Sequence, residues 1–331
     1  MTLFAFLKSR PIFWLSVAGT TVGGGCFLKD LMQGGQFTKN TDETCKVVIV
    51  TGSNTGIGKE TVRELARRGA TVYMACRDMK KCEEAREEIV LETKNKYVYC
   101  RECDLASMDS IRNFVSTFNR EQKKLDILIN NAGVMRCPRS LTKDGFEMQL
   151  GVNHLGHFLL TNLLLDVLKK TRPSRIVVVS SLAHTRGEIN TGDLNSELAY
   201  DEGKAYSQSK LANILFTREL AKRLEGSRVT VNALHPGIVD TELFRHMGFF
   251  TNFFAGVFVR PLFWPFVKTP KSGAQTSLYV ALDPELETVT GQYFSDCQIA
   301  DVAPAARDAH IGKWLWAVSE KWTQSEILQL K

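Results

Sequence analysis

A tyrosine and a lysine four residues apart could carry out proton-transfer chemistry. In the segment Tyr206-Ser-Gln-Ser-Lys210, both side chains fall on one face of a helix. A free tyrosine has a pKa of about 10 and is a poor base near neutral pH. A neighbouring ammonium favours the phenolate, so we expect Lys210 to lower the pKa of Tyr206 toward the working range. By itself the spacing is equally typical of a pair on a helix surface.

A glycine-rich loop near the start of the chain could bind phosphate. After Thr51 the chain runs through Gly52, Ser53, Asn54, Thr55, Gly56, Ile57 and Gly58. The loop joins a continuous apolar run to an amphipathic one. Glycines let the backbone turn tightly and approach a pyrophosphate, and a helix N-terminus supplies free N–H groups and partial positive charge. The position between a buried strand and a helix therefore predicts a dinucleotide site.

The elements that must position these residues alternate regularly. Strands are predicted at 46–51, 71–75, 98–103, 127–130, 175–180 and 229–234, and helices at 59–68, 79–93, 107–121, 145–169 and 205–224. Strict alternation requires parallel strands joined by right-handed crossovers. We therefore predict an α/β fold, a doubly wound parallel sheet of the Rossmann type, in one domain that follows an N-terminal hydrophobic segment. Ligands bind at the carboxyl ends of such strands.

Several motifs in order resemble the short-chain dehydrogenase/reductase family over roughly residues 45–300. They are the glycine loop, Asp104-Leu105, Asn130-Asn131-Ala132-Gly133, Asn153, Ser180-Ser181, Tyr206 with Lys210, and His235-Pro236-Gly237. Three segments have residue sequences similar to the retinol dehydrogenase branch with an N-terminal membrane anchor. They are Cys76-Arg-Asp78, Val152-Asn-His-Leu-Gly-His-Phe158 and Asn232-Ala-Leu-His-Pro-Gly237. That branch acts on all-trans retinoids with NADP(H).

The resemblance implies roles for individual residues. The catalytic set would be Asn153, Ser181, Tyr206 and Lys210, and Lys210 would also hold the nicotinamide ribose. The dinucleotide would further contact Asp104, Leu105, Asn131, Ala132, Gly133, Pro236, Gly237 and Thr241. Ser180 competes with Ser181, but alternation along a strand puts the two on opposite faces. We choose Ser181 because its counterpart in that branch lies the same distance before the tyrosine.

The end of the second strand indicates which nicotinamide cofactor is used. An NAD enzyme normally has an acid there that binds the ribose 2′-hydroxyl. Here Cys76 holds the position and Arg77 follows, and a guanidinium suits a 2′-phosphate. We therefore expect NADP(H) in preference to NAD. Asp78 is the complication, because a shift of one or two residues in alignment would make it the NAD-type acid.

No metal site is predicted. Only Cys100-x-x-Cys103 among eight cysteines has ligand spacing, and no second motif completes a tetrahedral set. Residues three apart on a strand point to opposite faces, so we interpret both as structural thiols. His154 and His157 are interpreted as helix packing because their spacing lacks a third ligand. Asn232 and His235 are interpreted as a packed strand end.

The first 40 residues are predicted to form a hydrophobic anchor and linker. Residues 11–28 carry no charge, but with four glycines among them the run is marginal for a membrane span. A single anchor, an N-terminal packing helix and a cleaved signal peptide all remain open, and we favour the anchor. Flanking basic residues at both ends leave its orientation open. Endoplasmic reticulum and mitochondrial membranes both fit.

An aromatic segment, residues 247–268, lies where the resembled family places its substrate lid. Seven Phe and one Trp fall in 22 residues, and Pro261 and Pro265 interrupt any single helix. Docking on a membrane surface, a lid over an apolar substrate and additional core are all compatible with it. We place the catalytic domain at 41–303, with the lid at 245–272, and an amphipathic C-terminal helix within 304–331. The interval 184–203, an insertion, could shape substrate access or form a surface loop.

Composition limits the class of protein. With 331 residues, 44% hydrophobic and 24% charged, the chain is neither disordered nor collagenous nor a polytopic membrane protein. A net charge of +6 is too mild to indicate nucleic-acid binding. We expect an NADP(H)-dependent oxidoreductase that interconverts an apolar alcohol and its carbonyl, all-trans-retinol and retinal first.

Other functions remain open at this point. Medium- or long-chain aldehydes, lipid-derived carbonyls and ketosteroids need the same catalytic set. A membrane-attached protein that senses NADPH without turnover and a membrane scaffold are the non-enzymatic alternatives. Direction of reaction and oligomeric state, a homodimer included, are not specified by the sequence.

Overall fold

One mixed sheet forms the centre of the protein in a computed structural model that describes residues 20, 23–239 and 264–324. Its order is β3-β2-β1-β4-β5-β6-β7-β8. The strands are β1 (Val47–Thr51), β2 (Thr71–Cys76), β3 (Val98–Glu102), β4 (Ile127–Asn130), β5 (Ser174–Val179), β6 (Val229–His235), β7 (Tyr293–Ser295) and β8 (Gln298–Ile299). All adjacent pairs are parallel except β7 with β8. The predicted doubly wound α/β fold is confirmed.

Helices cover both faces of this sheet. They are α1 (Gly56–Arg67), α2 (Met79–Thr93), α3 (Met108–Glu121), α4 (Gly156–Thr171), α5 (Glu202–Arg223), α6 (Pro270–Leu282) and α7 (Ala309–Thr323). One hydrophobic core lies between the sheet and α3, α4, α5 and α7, and a second lies under α1, α2 and α6. Because both faces are covered, β1 reads as a continuous apolar run and is buried throughout.

A π-helical turn precedes α4. The chain enters through a short α-helical turn, Met148–Leu150, continues as the π-helix Gly151–Leu155 and then becomes α4. Asn153 lies inside the π-helical turn and is fully buried. Single π-turns within helices are rare and often occur at functional sites.

The C-terminal helix α7 packs on α4 and α5, which identifies the partner of its apolar face. Trp316 is 3% exposed. Its ring stacks on Phe216 with centroids 5.9 Å apart and meets Phe158 edge-on at 4.9 Å. The Arg223 guanidinium lies 4.2 Å from the same ring.

At the N-terminal end, the described residues lie along the 264–275 region. Residues 23–31 are helical. The Lys29 ammonium donates to the carbonyl oxygens of Trp264 and Val267, and Gln33 accepts from the amide of Thr269. Within the described ranges, no helix is long and apolar enough to cross a membrane. Residues 1–19 and 21–22, which hold most of the predicted anchor, lie outside those ranges.

The interpretation of Cys100 as a free thiol is wrong. Cys100 on β3 forms a disulfide with Cys82 on α2. The expected opposition of faces holds, because Cys100 lies in the core under α2 whereas Cys103 lies in the other core. The Cys-x-x-Cys spacing pairs Cys100 with Cys103, whereas the disulfide partner of Cys100 is Cys82 on the neighbouring helix α2.

Trp316→Ala tests the docking of α7. We expect it to lower the free energy of unfolding by about 3–5 kcal/mol, because a buried aromatic is replaced by a cavity. Chemical unfolding followed by circular dichroism measures this. Lys313→Ala, on an exposed position of the same helix, is the control and should stay within about 0.5 kcal/mol of the unchanged protein. Equal effects of the two substitutions would contradict this packing.

Candidate active site

The carboxyl ends of the strands open onto a cleft of about 870 Å³. The sequence-predicted residues that line it are Gly52, Asn54, Thr55, Gly56, Ile57, Gly58, Arg77, Asp104, Leu105, Asn131, Ala132, Gly133, Ser181, Tyr206, Lys210, Pro236 and Gly237. Ser53 and Asn153 lie beneath its surface, and Thr241 lies outside the described residues. One cleft thus brings together the glycine loop and the tyrosine–lysine pair.

The glycine loop has backbone geometry suited to a phosphate group. Gly52 has a φ of +60°, and a Cβ there would lie 2.8 Å from the Cα of Ala132. A Cβ on Gly58 would lie 2.5 Å from the Gly52 carbonyl oxygen. Thr55, the residue that precedes α1, makes no side-chain cap, and the first turn holds no acid. The first amides of α1 therefore point to the cleft as free donors. These features fit a nicotinamide dinucleotide.

Three side chains beneath the loop hold it in place. The Thr51 hydroxyl oxygen accepts hydrogen bonds from the amides of Asn131 and Ala132, at 2.9 and 3.0 Å. The Asn131 side-chain amide donates back to the carbonyl oxygens of Thr51 and Gly52. Ser53 is fully buried and donates to the Val50 carbonyl, so its side chain supports the loop from below.

The far end of the cleft carries two cations. Arg77 lines it, as predicted, and so does Lys81, which sequence analysis missed. Its signal was its position in the first turn of the helix that follows Arg77. Asp78 lines the same end of the cleft, and its carboxylate caps α2 by accepting from the Lys81 amide at 3.1 Å. Such a cap fits an acid at a helix N-terminus.

Tyr206 lies in the first turns of α5 and is 7% exposed. Burial raises the pKa of its phenol to about 12, and a hydrogen bond with the Ser181 hydroxyl partly opposes this effect. The expectation of a lowered pKa is therefore wrong for the protein without cofactor. Desolvation of the phenolate outweighs the nearby ammonium. At neutral pH the phenol is protonated and can act as an acid.

Lys210 lies one turn further along α5 and is 4% exposed. Its ammonium donates to the Val179 carbonyl at the end of β5, at 3.1 Å, and lies 5.8 Å from the centre of the Tyr206 ring. Burial lowers the pKa of Lys210 to about 8. The ammonium thus stands close to its titration point near neutral pH.

The two adjacent serines have different environments. Ser180 is buried and its hydroxyl donates to the Lys210 carbonyl at 2.7 Å. Ser181 lines the cleft, and its hydroxyl oxygen accepts from the Ala183 amide at 3.1 Å. Its hydroxyl hydrogen is not used in that bond and is available to a neighbour or a substrate oxygen. This geometry favours Ser181 over Ser180.

Asn153 acts from below the cleft. Its side-chain oxygen accepts from the Val134 amide at 2.8 Å, and its side-chain nitrogen donates to the Val134 carbonyl and to the Ser209 hydroxyl, both at 2.9 Å. The π-helical turn thereby connects the segment that follows β4 to α5. Asn153 is predicted from the resemblance, whereas Ser209 was missed.

Both ends of the 184–203 insertion reach the cleft. A 3₁₀ helix, Leu182–Arg186, begins at Ser181, and its residues Thr185 and Arg186 line the cleft together with Gly203. His184 is buried, with its Nδ1 2.8 Å from the Ser181 carbonyl oxygen. The middle of the insertion is at the surface, where Leu198 is 86% exposed.

The described ends that flank residues 240–263 meet at the cleft mouth. Ile238 and Val239 line the cleft, and the Ile238 carbonyl accepts from the Lys268 amide at 2.7 Å. Most of the predicted lid at 245–272 lies outside the described residues. Its described part starts at Trp264.

His235 and Asn232, both on β6, form hydrogen bonds with neighbouring segments. His235 accepts from the Gly237 amide at Nδ1, 3.0 Å away, and its Nε2 lies 2.9 Å from the Ser295 hydroxyl. Asn232 bonds to Val289 and Gln292 across to the β7 side. Over the part of the chain that is described, no group of three or more His, Cys, Asp or Glu side chains could hold a metal ion.

Comparisons with known proteins agree with this geometry. The short chain dehydrogenase family model matches residues 46–248. Human retinol dehydrogenase 13 is 52% identical over 314 residues, covering 95% of this chain and 95% of that protein. Human retinol dehydrogenase 12 is 54% identical over 292 residues, covering 88% and 90%.

Solved structures are also similar. A Mycobacterium paratuberculosis protein is 38% identical with a TM-score of 0.72, covering 88% of this chain and 99% of that chain. Pseudomonas aeruginosa RhlG, solved with NADP in its active site, is 22% identical with a TM-score of 0.63, covering 78% and 97%. At that identity the second likeness concerns the fold alone.

Lys210→Met tests the burial of the ammonium. The pKa of Lys210 is lowered on folding, so between its folded and unfolded values the unfolded chain binds more protons and stability rises with pH. Relative to Lys210→Met, the unchanged protein should gain about 2 kcal/mol in free energy of unfolding from about pH 7 to about pH 9.5. Urea unfolding across that range measures the difference. The exposed Lys204, replaced by Met, is the matched control, and a pH-independent difference for Lys210→Met would refute the lowered pKa.

Proposed function

This chain belongs to the short chain dehydrogenase family and is an oxidoreductase of its retinol dehydrogenase branch, and we propose that it uses NADP(H) to interconvert an apolar alcohol and its carbonyl. The preferred pair is all-trans-retinol and retinal. The proposed catalytic set is Asn153, Ser181, Tyr206 and Lys210. One observation carries this proposal: Ser181, Tyr206 and Lys210 line the same cleft as the glycine loop, with Asn153 directly beneath.

The phenol supplies the proton for carbonyl reduction. A bound nicotinamide dinucleotide supplies a hydride for this direction and takes one up in the other. Tyr206 is protonated at neutral pH because burial raises the pKa of its phenol, so it can donate to the carbonyl oxygen as charge develops there. Ser181 donates a hydrogen bond to the same oxygen and orients it. In alcohol oxidation, the phenolate form accepts the proton.

Lys210 and Asn153 support the phenol. The Lys210 ammonium, 5.8 Å from the Tyr206 ring centre, favours the phenolate that proton donation leaves behind. Asn153 holds Ser209, the residue before Lys210, by a bond of 2.9 Å and so fixes the first turns of α5. Lys210 thus acts on the phenol by its charge, and Asn153 acts by holding the helix that carries the phenol. Because the pKa of Lys210 is about 8, the charge on Lys210 can vary near neutral pH.

The cofactor preference rests on the pair of cations at the far end of the cleft. Arg77 and Lys81 both line that end together with Asp78, whose carboxylate caps α2 by accepting from the Lys81 amide. A guanidinium pairs with a phosphate through two parallel hydrogen bonds, and the two cations outnumber the one carboxylate. This arrangement supports NADP(H) over NAD, with the 2′-phosphate held by the two cations.

The substrate proposal rests on the cleft wall and on the relatives. Apolar side chains that line the cleft include Val134, Leu182 and Ile238, which suits an apolar carbon chain. The curated relatives that share 52–54% identity with this chain bear the name retinol dehydrogenase. Long-chain aldehydes and ketosteroids are the competing substrates that a panel separates from retinal.

We also propose that the protein attaches to a membrane, of the endoplasmic reticulum or the mitochondrion, through its N-terminal segment and the 247–268 segment. Phe27 and Leu31 are 69% and 63% exposed, and Trp264 and Phe266 are about half exposed. Lys29 joins the two groups by lying 5.1 Å from the centre of the Trp264 ring. Both proposed contact segments therefore have described parts on one side of the protein, where cations and aromatic rings suit a lipid headgroup region.

Tyr206→Phe tests the proton donor. We expect carbonyl reduction by the detergent-solubilised enzyme to fall at least about 100-fold, because general acid catalysis is lost, while the dissociation constant for NADPH stays within about twofold, since Phe keeps the ring. A panel of all-trans-retinal, long-chain aldehydes and ketosteroids is measured with both cofactors. Retained turnover in this variant, or cofactor binding without any turnover in the unchanged protein, would count against the proposed function.

Arg77→Glu tests the cofactor preference. Replacing a phosphate-binding guanidinium by a carboxylate is expected to weaken NADPH binding by at least about 10-fold and to leave NADH binding less affected. Quenching of protein fluorescence on titration measures both. Lys80→Glu makes the same charge change at an exposed position of α2 that does not line the cleft. If the two variants bind NADPH equally well, the assignment of Arg77 is wrong.

A further inference from the structure

His157 occupies an unusual place between the two halves of the site. It lies on α4 one turn after Asn153, is 2% exposed and does not line the cleft. Its Nδ1 is 3.1 Å from the main-chain oxygen of Asn153, and its Nε2 is 2.9 Å from the hydroxyl oxygen of Thr51. One buried imidazole therefore contacts both Thr51, the residue just before the glycine loop, and the π-helical turn.

The directions of these hydrogen bonds follow from their partners. A carbonyl oxygen only accepts, so Nδ1 of His157 carries the proton and donates to Asn153. The Thr51 oxygen already accepts from the amides of Asn131 and Ala132. Its own hydrogen must then be donated, and the unprotonated Nε2 at 2.9 Å is a better acceptor than the Ile129 carbonyl at 3.5 Å.

Burial keeps the imidazole in this neutral form. Desolvation, with a smaller contribution from the Lys210 charge, lowers the pKa of His157 to about 4, although the hydrogen bond to the Asn153 carbonyl opposes this shift. A protonated ring would have two donors and would face the Thr51 oxygen, both of whose lone pairs are used. The hydrogen-bond donors and acceptors of Thr51, His157 and the Asn153 carbonyl are all matched only when the ring is neutral and carries its proton on Nδ1.

The chain of bonds spans the whole catalytic unit. At one end, Thr51 holds the amides of Asn131 and Ala132, which form a wall of the cofactor cleft. At the other end, the side chain of Asn153 holds Ser209, next to Lys210. The imidazole is the link between these two ends, because it bonds to Thr51 and to Asn153 at the same time.

We propose that His157 is a positioning residue that couples the dinucleotide-binding wall to the catalytic Asn153. It acts through Thr51 on one side and through the Asn153 carbonyl on the other, and touches neither substrate nor cofactor. This inference rests on the proposed function for the role of Asn153. The sequence-based interpretation of His157 as helix packing is thereby extended, since the packing contact is also a directed hydrogen-bond relay.

Three variants test the coupling. His157→Phe removes both bonds while filling the space, Thr51→Val removes the hydroxyl, and Thr51→Ser retains it. We expect His157→Phe and Thr51→Val each to weaken NADPH binding by about 10-fold, the worth of one or two buried hydrogen bonds, and to lower kcat for retinal. The double variant should bind NADPH no more weakly than the more affected of the two single variants, because both substitutions break the same series of hydrogen bonds. Thr51→Ser should remain within about twofold of the unchanged protein.

A second buried histidine–hydroxyl pair provides the matched control. Nε2 of His154, in the same π-helical turn, lies 2.8 Å from the Ser319 hydroxyl on α7. Ser319→Ala removes that hydroxyl and should lower stability without weakening NADPH binding. If His157→Phe or Thr51→Val behaves like Ser319→Ala, with stability lost and NADPH affinity and kcat unchanged, His157 has a structural role alone and the proposal is overturned.

Nuclear magnetic resonance of the unchanged protein reports the tautomer of His157 directly. This measurement depends neither on the folding of a variant nor on enzymatic activity. With ¹⁵N-labelled histidine, His157→Gln assigns the signal, and we expect a protonated Nδ1 and an unprotonated Nε2. The opposite tautomer would overturn the proposal. If NADPH binds but no carbonyl is reduced, the proposed function fails, while the affinities and the tautomer still decide whether His157 couples the two ends.

Discussion

The candidate active site depends on keeping one ammonium group almost out of water. Lys210 is 4% exposed, and the protein group that accepts a hydrogen bond from it is the Val179 carbonyl at the end of β5. Removing a charge from water is unfavourable, and here the penalty appears as a lowered pKa. Close packing maintains this state. A Cβ on Gly133 would lie 3.5 Å from the ammonium and 3.3 Å from the Asn153 side-chain oxygen, so three segments converge on one charge.

Much of the fold and of the site could be predicted from the sequence, because both depend on local pattern. Buried parallel strands read as apolar runs such as Lys46–Thr51, and all six predicted strands are present. The carboxyl ends of those strands then had to meet at one edge, which placed the glycine loop near Tyr206. Among the missed elements, β7 and β8 have three and two residues, too few to show a period. The helix α6 was also missed, because it begins within the range interpreted as a lid.

What the sequence could not supply are the partners of individual polar groups. Cys100 bonds to Cys82, and the phenol of Tyr206 is made less acidic by burial. Each of these facts depends on a neighbour brought in by the tertiary fold or on loss of solvent, and neither is encoded in spacing. The relay through His157 belongs to the same group, since Thr51 is 106 positions away along the chain.

The placement of α7 constrains how the protein can assemble. Its tryptophans occupy the outer face of α4 and α5, where Trp316 contacts Phe158 and Phe216. Had that face been bare, it would offer an apolar strip on which a second subunit could lie side by side with the first. Because α7 fills this strip, the covered faces of α4 and α5 are not exposed to a second subunit.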